Sequence, residues 1–146
     1  MNMDQTRIRL IWHGVFIFLI GLLTGLLMKY MHNPRMGMSA HVEAILNGIF
    51  LILYGGVIWQ ELRLSDRISK VLLVFLIYAS YFNWFFIMLA AIFGTSKLMP
   101  IAGKGFAAPE WQEMLVNMGL STVVFSILMT AAITLYGLHR RIKTIS

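Results

Sequence analysis

VLLVFLIYASYFNWFFIMLAAIFGTS, residues 71–96, runs for 26 positions without a charged side chain. As a helix it rises about 39 Å, more than the roughly 30 Å hydrocarbon core of a bilayer. Its apolar residues do not alternate with polar ones, as they would in a barrel strand, and a single spanning segment satisfies its backbone only as a helix. Three more uncharged runs flank it: Leu10 to Met28, Ala44 to Gln60, and Met114 to His139. The second is short and is completed if Glu43 sits at the interface. The pattern predicts one all-α integral-membrane four-helix bundle over residues 1–146, with spans at roughly 10–31, 42–61, 71–96 and 113–138.

Composition supports the same class. Hydrophobic residues make up 59% of the chain and charged residues 12%, with a mean hydropathy of +0.77. A soluble domain carries about 25% charged residues to cover its surface. A water-soluble enzyme, a secreted module and a disordered tail are therefore excluded. There is no cysteine, which removes disulfides, iron–sulfur clusters, thiolate metal sites and cysteine nucleophiles. The net charge of +6 reads as topology, not nucleic-acid binding. Arg7, Arg9, Arg63, Arg67, Lys70, Arg140, Arg141 and Lys143 lie on one side, against Lys29, Arg35, Lys97 and Lys104 on the other. The positive-inside rule puts both termini in the cytoplasm. The first apolar run is too long for the core of a cleavable signal, so no cleavage is expected.

Polar residues within spans are costly and few, so they mark candidate sites. They are His13, His41, Glu43, Asn47, Asn83 and Asn117. His41 and Asn47 open the second span. Six residues separate them by about 120° and 9 Å on a helix. They either flank one flat ligand or serve as an interfacial cap and an interhelical contact. His13 reads as lying near the start of the first span, some 30 Å in depth from His41, so the two histidines cannot share one metal. Asn33-Pro34-Arg35-Met36-Gly37 reads as a turn. Its Arg35 is available to Glu43, to an anionic cofactor group or to a lipid phosphate. Tyr78, Tyr81, Phe82, Trp84, Phe85 and Phe86 crowd the third span, as the wall of an aromatic-binding cavity or as packing and lipid contact. Gly21 and Gly25 permit a close helix contact, within or between subunits. No zinc spacing, Walker loop or dinucleotide fingerprint appears.

These residues together resemble a family. His13-Gly14, Gly21 and Gly25, Asn33-Pro34-Arg35-Met36-Gly37, Ala40-His41-x-Glu43 and Leu46-Asn47-Gly48 are similar to hydroxylaminobenzene mutases over most of the chain, most strongly from Ile11 to Leu53. More distantly they resemble styrene oxide isomerases. The resemblance implies a homotrimer that binds haem b near its subunit interface. It implies His41 as the iron ligand, Asn47 facing the substrate and Asn83 as a third-helix counterpart, with the bacterial inner membrane as the expected location. Arg35, by its place in the turn, is the further residue expected to bind the cofactor. The styrene oxide isomerase tyrosine four residues after that asparagine is absent: Ile87 stands there. The implied activity is the rearrangement of an aryl hydroxylamine to an ortho-aminophenol in aromatic-compound catabolism, with ferric haem as Lewis acid. An epoxide isomerase and a non-enzymatic haem-binding membrane protein are the alternatives.

Overall fold

The computed structural model describes residues 3–145. Among them there is no strand, and four helices are long and apolar enough to cross a membrane. Helix α1 is Met3–Leu27, prolonged by a 3-10 turn at Met28–Tyr30. Helix α2 spans Pro34–Glu61. It is α-helical over Pro34–Leu53, opens into a π-helical turn at Tyr54–Ile58, and closes with Trp59–Glu61. Helix α3 is Asp66–Phe93 and α4 is Glu110–Ile145. α1, α2 and α3 begin well before the spans read from the sequence, and α4 runs on past the end of its span. Arginine and glutamate end a hydrophobic run but not a helix, because both are good helix formers and their long side chains reach out of the lipid.

The start of α2 departs most from expectation. The segment from Asn33 is not a free turn. Asn33 is the N-cap, with its side-chain oxygen accepting from the Arg35 and Met36 amides at 3.1 and 3.2 Å. Pro34 occupies the first helical position, where a missing N–H costs nothing. Asn33 is fully buried. Its Nδ2 donates to the Ala102 carbonyl at 2.9 Å and its backbone N–H to the Ala91 carbonyl at 2.9 Å. Asn33 thus ties α2 to the end of α3 through its backbone and to the loop between α3 and α4 through its side chain. The same end is closed by Gly94, left-handed at φ 76° after α3, and by buried Glu113, whose carboxylate accepts from the Ser96 and Lys97 amides.

The helices pack in chain order, α1 on α2, α2 on α3 and α3 on α4, while α1 and α4 do not pack on each other. The α1–α2 contact is the closest. A Cβ on Gly14 would stand 2.7 Å from the Gly48 carbonyl oxygen, and one on Gly48 the same distance from that of Gly14. At the end of the bundle where α1 starts, the Arg7 guanidinium donates to the Gly55 and Gly56 carbonyls at 3.1 and 3.2 Å. These belong to the π-helical turn, where the shift in hydrogen-bond register leaves carbonyls in need of donors. Glu61 pairs with Arg141 at 3.5 Å, joining α2 to α4. Large side chains such as Leu19, Val74 and Leu128 point outward from mid-helix positions, as lipid-facing residues do.

Candidate functional site

His41 lies two turns into α2 and faces α1. Its Nδ1 is 2.7 Å from the Gly21 carbonyl oxygen. A carbonyl only accepts, so Nδ1 carries the proton and Nε2 keeps its lone pair. No hydrogen bond among the described residues uses Nε2. The ring rests on Gly25, where a Cβ would stand 2.7 Å from Nδ1 and 2.8 Å from Cε1. The glycine pair therefore acts within the chain: Gly21 supplies the acceptor and Gly25 the space. Thr24, between them on the sequence, accepts from the Trp84 indole N–H at 3.0 Å, which fixes α3 to the same stretch of α1. An imidazole oriented by a backbone carbonyl, with its other nitrogen free, is the usual arrangement of a metal-ligating histidine. Among the described residues no group of three or more His, Cys, Asp or Glu could hold a metal ion. The donor set is one nitrogen, which suits a metal already ligated by its own macrocycle.

The other polar residues face α3 instead. Asn47 Nδ2 donates to the Ser80 carbonyl at 3.2 Å, and Asn83 Nδ2 donates to Glu43 Oε2 at 2.8 Å. Both amides spend their donor inside the protein and keep Oδ1 as an acceptor. The structure does not bring these groups to His41 within one chain. His41 lies on the α1 flank of α2, and Asn47, Glu43 and Asn83 lie on the α3 flank. The Glu43–Asn83 pair was not legible as a pair, since 40 positions separate the two residues. Replacing Asn83 with leucine should lower stability in detergent by about 1–2 kcal/mol, because Glu43 loses its donor. Replacing both Glu43 and Asn83 with leucine should recover most of that loss. A thermal-unfolding double-mutant cycle checks the coupling.

The remaining candidates are used structurally. His13 lies deeper than the sequence reading placed it. α1 begins at Met3, and His13 is twelve residues from Gly25, about 18 Å along the helix rather than 30 Å. Its Nδ1 is 2.9 Å from the Tyr81 hydroxyl, so the pair still cannot share a metal with His41. Arg35 does not reach Glu43. Its guanidinium donates to the Lys104 carbonyl and lies over the Phe106 ring at 5.6 Å. His32 packs on Gly94 and on Phe106. The α3 aromatics divide. Tyr81 and Trp84 turn toward α1, while Tyr78, Phe82, Phe85 and Phe86 form a ladder turned toward α4 and the outside. Ile87 is buried with Met36, Ala40 and Ala90.

A histidine with one ring nitrogen free, on the second of four membrane helices, now has relatives to be set against. The family model for styrene oxide isomerase matches residues 6–139. This chain belongs to that family. Hydroxylaminobenzene mutase HabB of Ectopseudomonas oleovorans is 40% identical over 132 residues, covering 90% of this chain and 80% of the relative. Hydroxylaminobenzene mutase HabA of the same organism is 36% identical over 128 residues, covering 87% and 94%. No solved structure matches. Membership in the styrene oxide isomerase family, with mutases as relatives, makes the chain a multi-pass membrane enzyme of the isomerase class. Gly21 and Gly25 are the site residues whose part the sequence reading missed. Their signal was the four-residue spacing, read only as a packing motif.

Proposed function

We propose that this membrane isomerase rearranges an aryl hydroxylamine to the ortho-aminophenol. The observation that carries the reading is the 40% identity to a hydroxylaminobenzene mutase across 90% of the chain. The reaction conserves every atom: the N–O bond breaks, oxygen bonds to the ortho carbon, and the ring proton lost there is balanced by one gained at nitrogen. Ferric haem b is the group that His41 Nε2 would hold, and when bound it supplies a Lewis acid for the departing oxygen. The chain's own part is positional. Gly21 holds the imidazole in the ligating tautomer. Asn47 and Asn83 each offer a carbonyl oxygen to the substrate's N–H or O–H. The apolar walls keep water from capturing the electron-deficient ring.

His41 and the two asparagines lie on different flanks of α2, and α1 leaves α4 uncovered. Both features favour a site completed between copies, and a homotrimer in the bacterial inner membrane with cytoplasmic termini is the assembly we propose. Arg35 stays at the outer rim, where an anionic group of the cofactor would meet it. The family model favours a second reading, epoxide isomerisation of the styrene oxide type. Against it, Ile87 lacks the hydroxyl and is packed into the core.

The test is turnover of phenylhydroxylamine and of styrene oxide by the purified protein in oxygen-18 water. Conversion of the hydroxylamine to 2-aminophenol without solvent label is the expected result. Label in the product would sink the intramolecular route, and preferential turnover of the epoxide would sink the substrate assignment.

A further inference from the structure

Glu43, Asn47 and Phe50 stand at positions i, i+4 and i+7 of α2, so they share one stripe of that helix. The stripe runs along α3, where Asn47 Nδ2 donates to the Ser80 carbonyl and Asn83 Nδ2 to Glu43 Oε2. Asn47 is at the middle of Pro34–Glu61, and Glu43 is four residues, about 6 Å, from it. The carboxylate therefore lies within the hydrocarbon layer, where a polar group short of partners is costly and marks a site. Among the described residues no cation pairs with Glu43; its polar partner is the Asn83 amide.

What this seam leaves unpaired is oxygen. Asn47 Oδ1, Asn83 Oδ1 and Glu43 Oε1 take part in no hydrogen bond among the described residues, and all three residues are half-buried. None of these oxygens is sealed inside the protein, in contrast to the unpaired Asn117 Oδ1 on α4. The orientation of both amides is fixed, because the Ser80 carbonyl and the Glu43 carboxylate accept and do not donate. Each amide keeps a second N–H, but three oxygens with two lone pairs apiece outnumber those hydrogens. Glu43 sets that imbalance. Phe50, exposed one turn beyond Asn47, puts an aromatic face on the same stripe. A lipid chain satisfies none of these oxygens. An aryl hydroxylamine, with N–H and O–H on one ring, satisfies two of them. An epoxide brings a further acceptor and no donor.

We infer that Glu43 is a specificity-determining residue of the substrate site: its free oxygen makes the α2–α3 seam select a neutral aromatic substrate that carries N–H or O–H groups over one that carries only acceptors. The inference rests on the function proposed above and assigns Glu43 a role in recognition. A site built to hydrogen-bond an O–H or N–H discriminates strongly against an analogue without it.

The test is a fluorine NMR titration of the full chain in lipid nanodiscs with 4-fluorobenzyl alcohol, which donates, and 4-fluorobenzaldehyde, a close match in shape that only accepts. Neither can undergo the rearrangement. Glu43→Gln keeps the shape and the acceptor for Asn83 but turns an NH2 group to the seam in place of Oε1. It should weaken the alcohol about three- to tenfold and tighten the aldehyde by a similar factor. Each ligand is compared with itself in the two proteins, so its partition into lipid cancels. Asn47→Ala removes an acceptor and supplies no donor, so it should weaken the alcohol without tightening the aldehyde. Equal weakening of both ligands in Glu43→Gln would make Glu43 a structural residue and overturn the inference. Unchanged binding of both, absence of saturable binding to the unsubstituted protein, or an alcohol unaffected by Asn47→Ala would overturn it equally. The proposed reaction fails separately. If the preference exchanges but phenylhydroxylamine is not turned over, the reaction falls and the role of Glu43 stands; turnover without the exchange does the reverse.

Discussion

On the proposed ligation of ferric haem by His41, replacing His41 with alanine is expected to abolish the Soret band and to lower turnover by more than the roughly 100-fold that loss of an outer-shell partner costs. The expectation follows from the tautomer. The Gly21 carbonyl accepts from Nδ1–H at 2.7 Å, which leaves Nε2 as the free nitrogen of the ring. Gly25→Val makes a sharper version of the test, because it leaves the imidazole in the chain. A Cβ at that position would lie 2.7 Å from Nδ1, so the ring must leave its place and the bond to Gly21 must break. Its cost should fall in the range of an outer-shell partner, about 10- to 100-fold, with a shifted rather than absent Soret band. A wild-type-like spectrum in Gly25→Val would show that the cradle does not orient the ligand. An unchanged spectrum in His41→Ala would remove His41 from the cofactor altogether.

The four helices were legible because a bilayer imposes length and apolarity on each segment independently, without reference to its neighbours. The ends of α2 were less legible. Asn33-Pro34 carries the ordinary N-cap and first-position signal, yet it lies outside the uncharged run, and hydropathy ends at Glu43. The π-helical turn at Tyr54–Ile58 had no signal beyond Gly55-Gly56, because its stabilising donor, Arg7, is 48 positions away. His41 was legible as a candidate ligand. Its tautomer was not, since a backbone carbonyl on another helix sets it and carbonyls leave no trace in sequence. Asn47 and Asn83 read as buried amides in need of partners, and each has one. That they face away from His41 required the packing order of α1, α2 and α3, which single-residue reasoning does not supply.

Asn33→Ala should cost about 2–4 kcal/mol, the sum of a lost N-cap and an unpaired buried carbonyl. The magnitude follows from burial. Asn33 has no exposed surface, and its side chain serves the Arg35 and Met36 amides on one side and the Ala102 carbonyl on the other. In a helix end shielded by the loop between α3 and α4, water does not replace those partners. Asn33→Asp separates the two contributions. Aspartate caps as well as asparagine but cannot donate to Ala102, and it brings a charge into a buried position. It should therefore retain helix content at room temperature while unfolding earlier on heating, whereas alanine should also fray the first turn of α2. His41 sits eight residues beyond the cap on the same helix, so fraying should reach the site. The Soret band of Asn33→Ala should broaden as temperature rises, before global unfolding, and that of Asn33→Asp should not. Coincident loss of Soret absorption and of helix signal in both variants would mean that α2 unfolds only as a whole. The cap would then stabilise the protein without positioning the ligand.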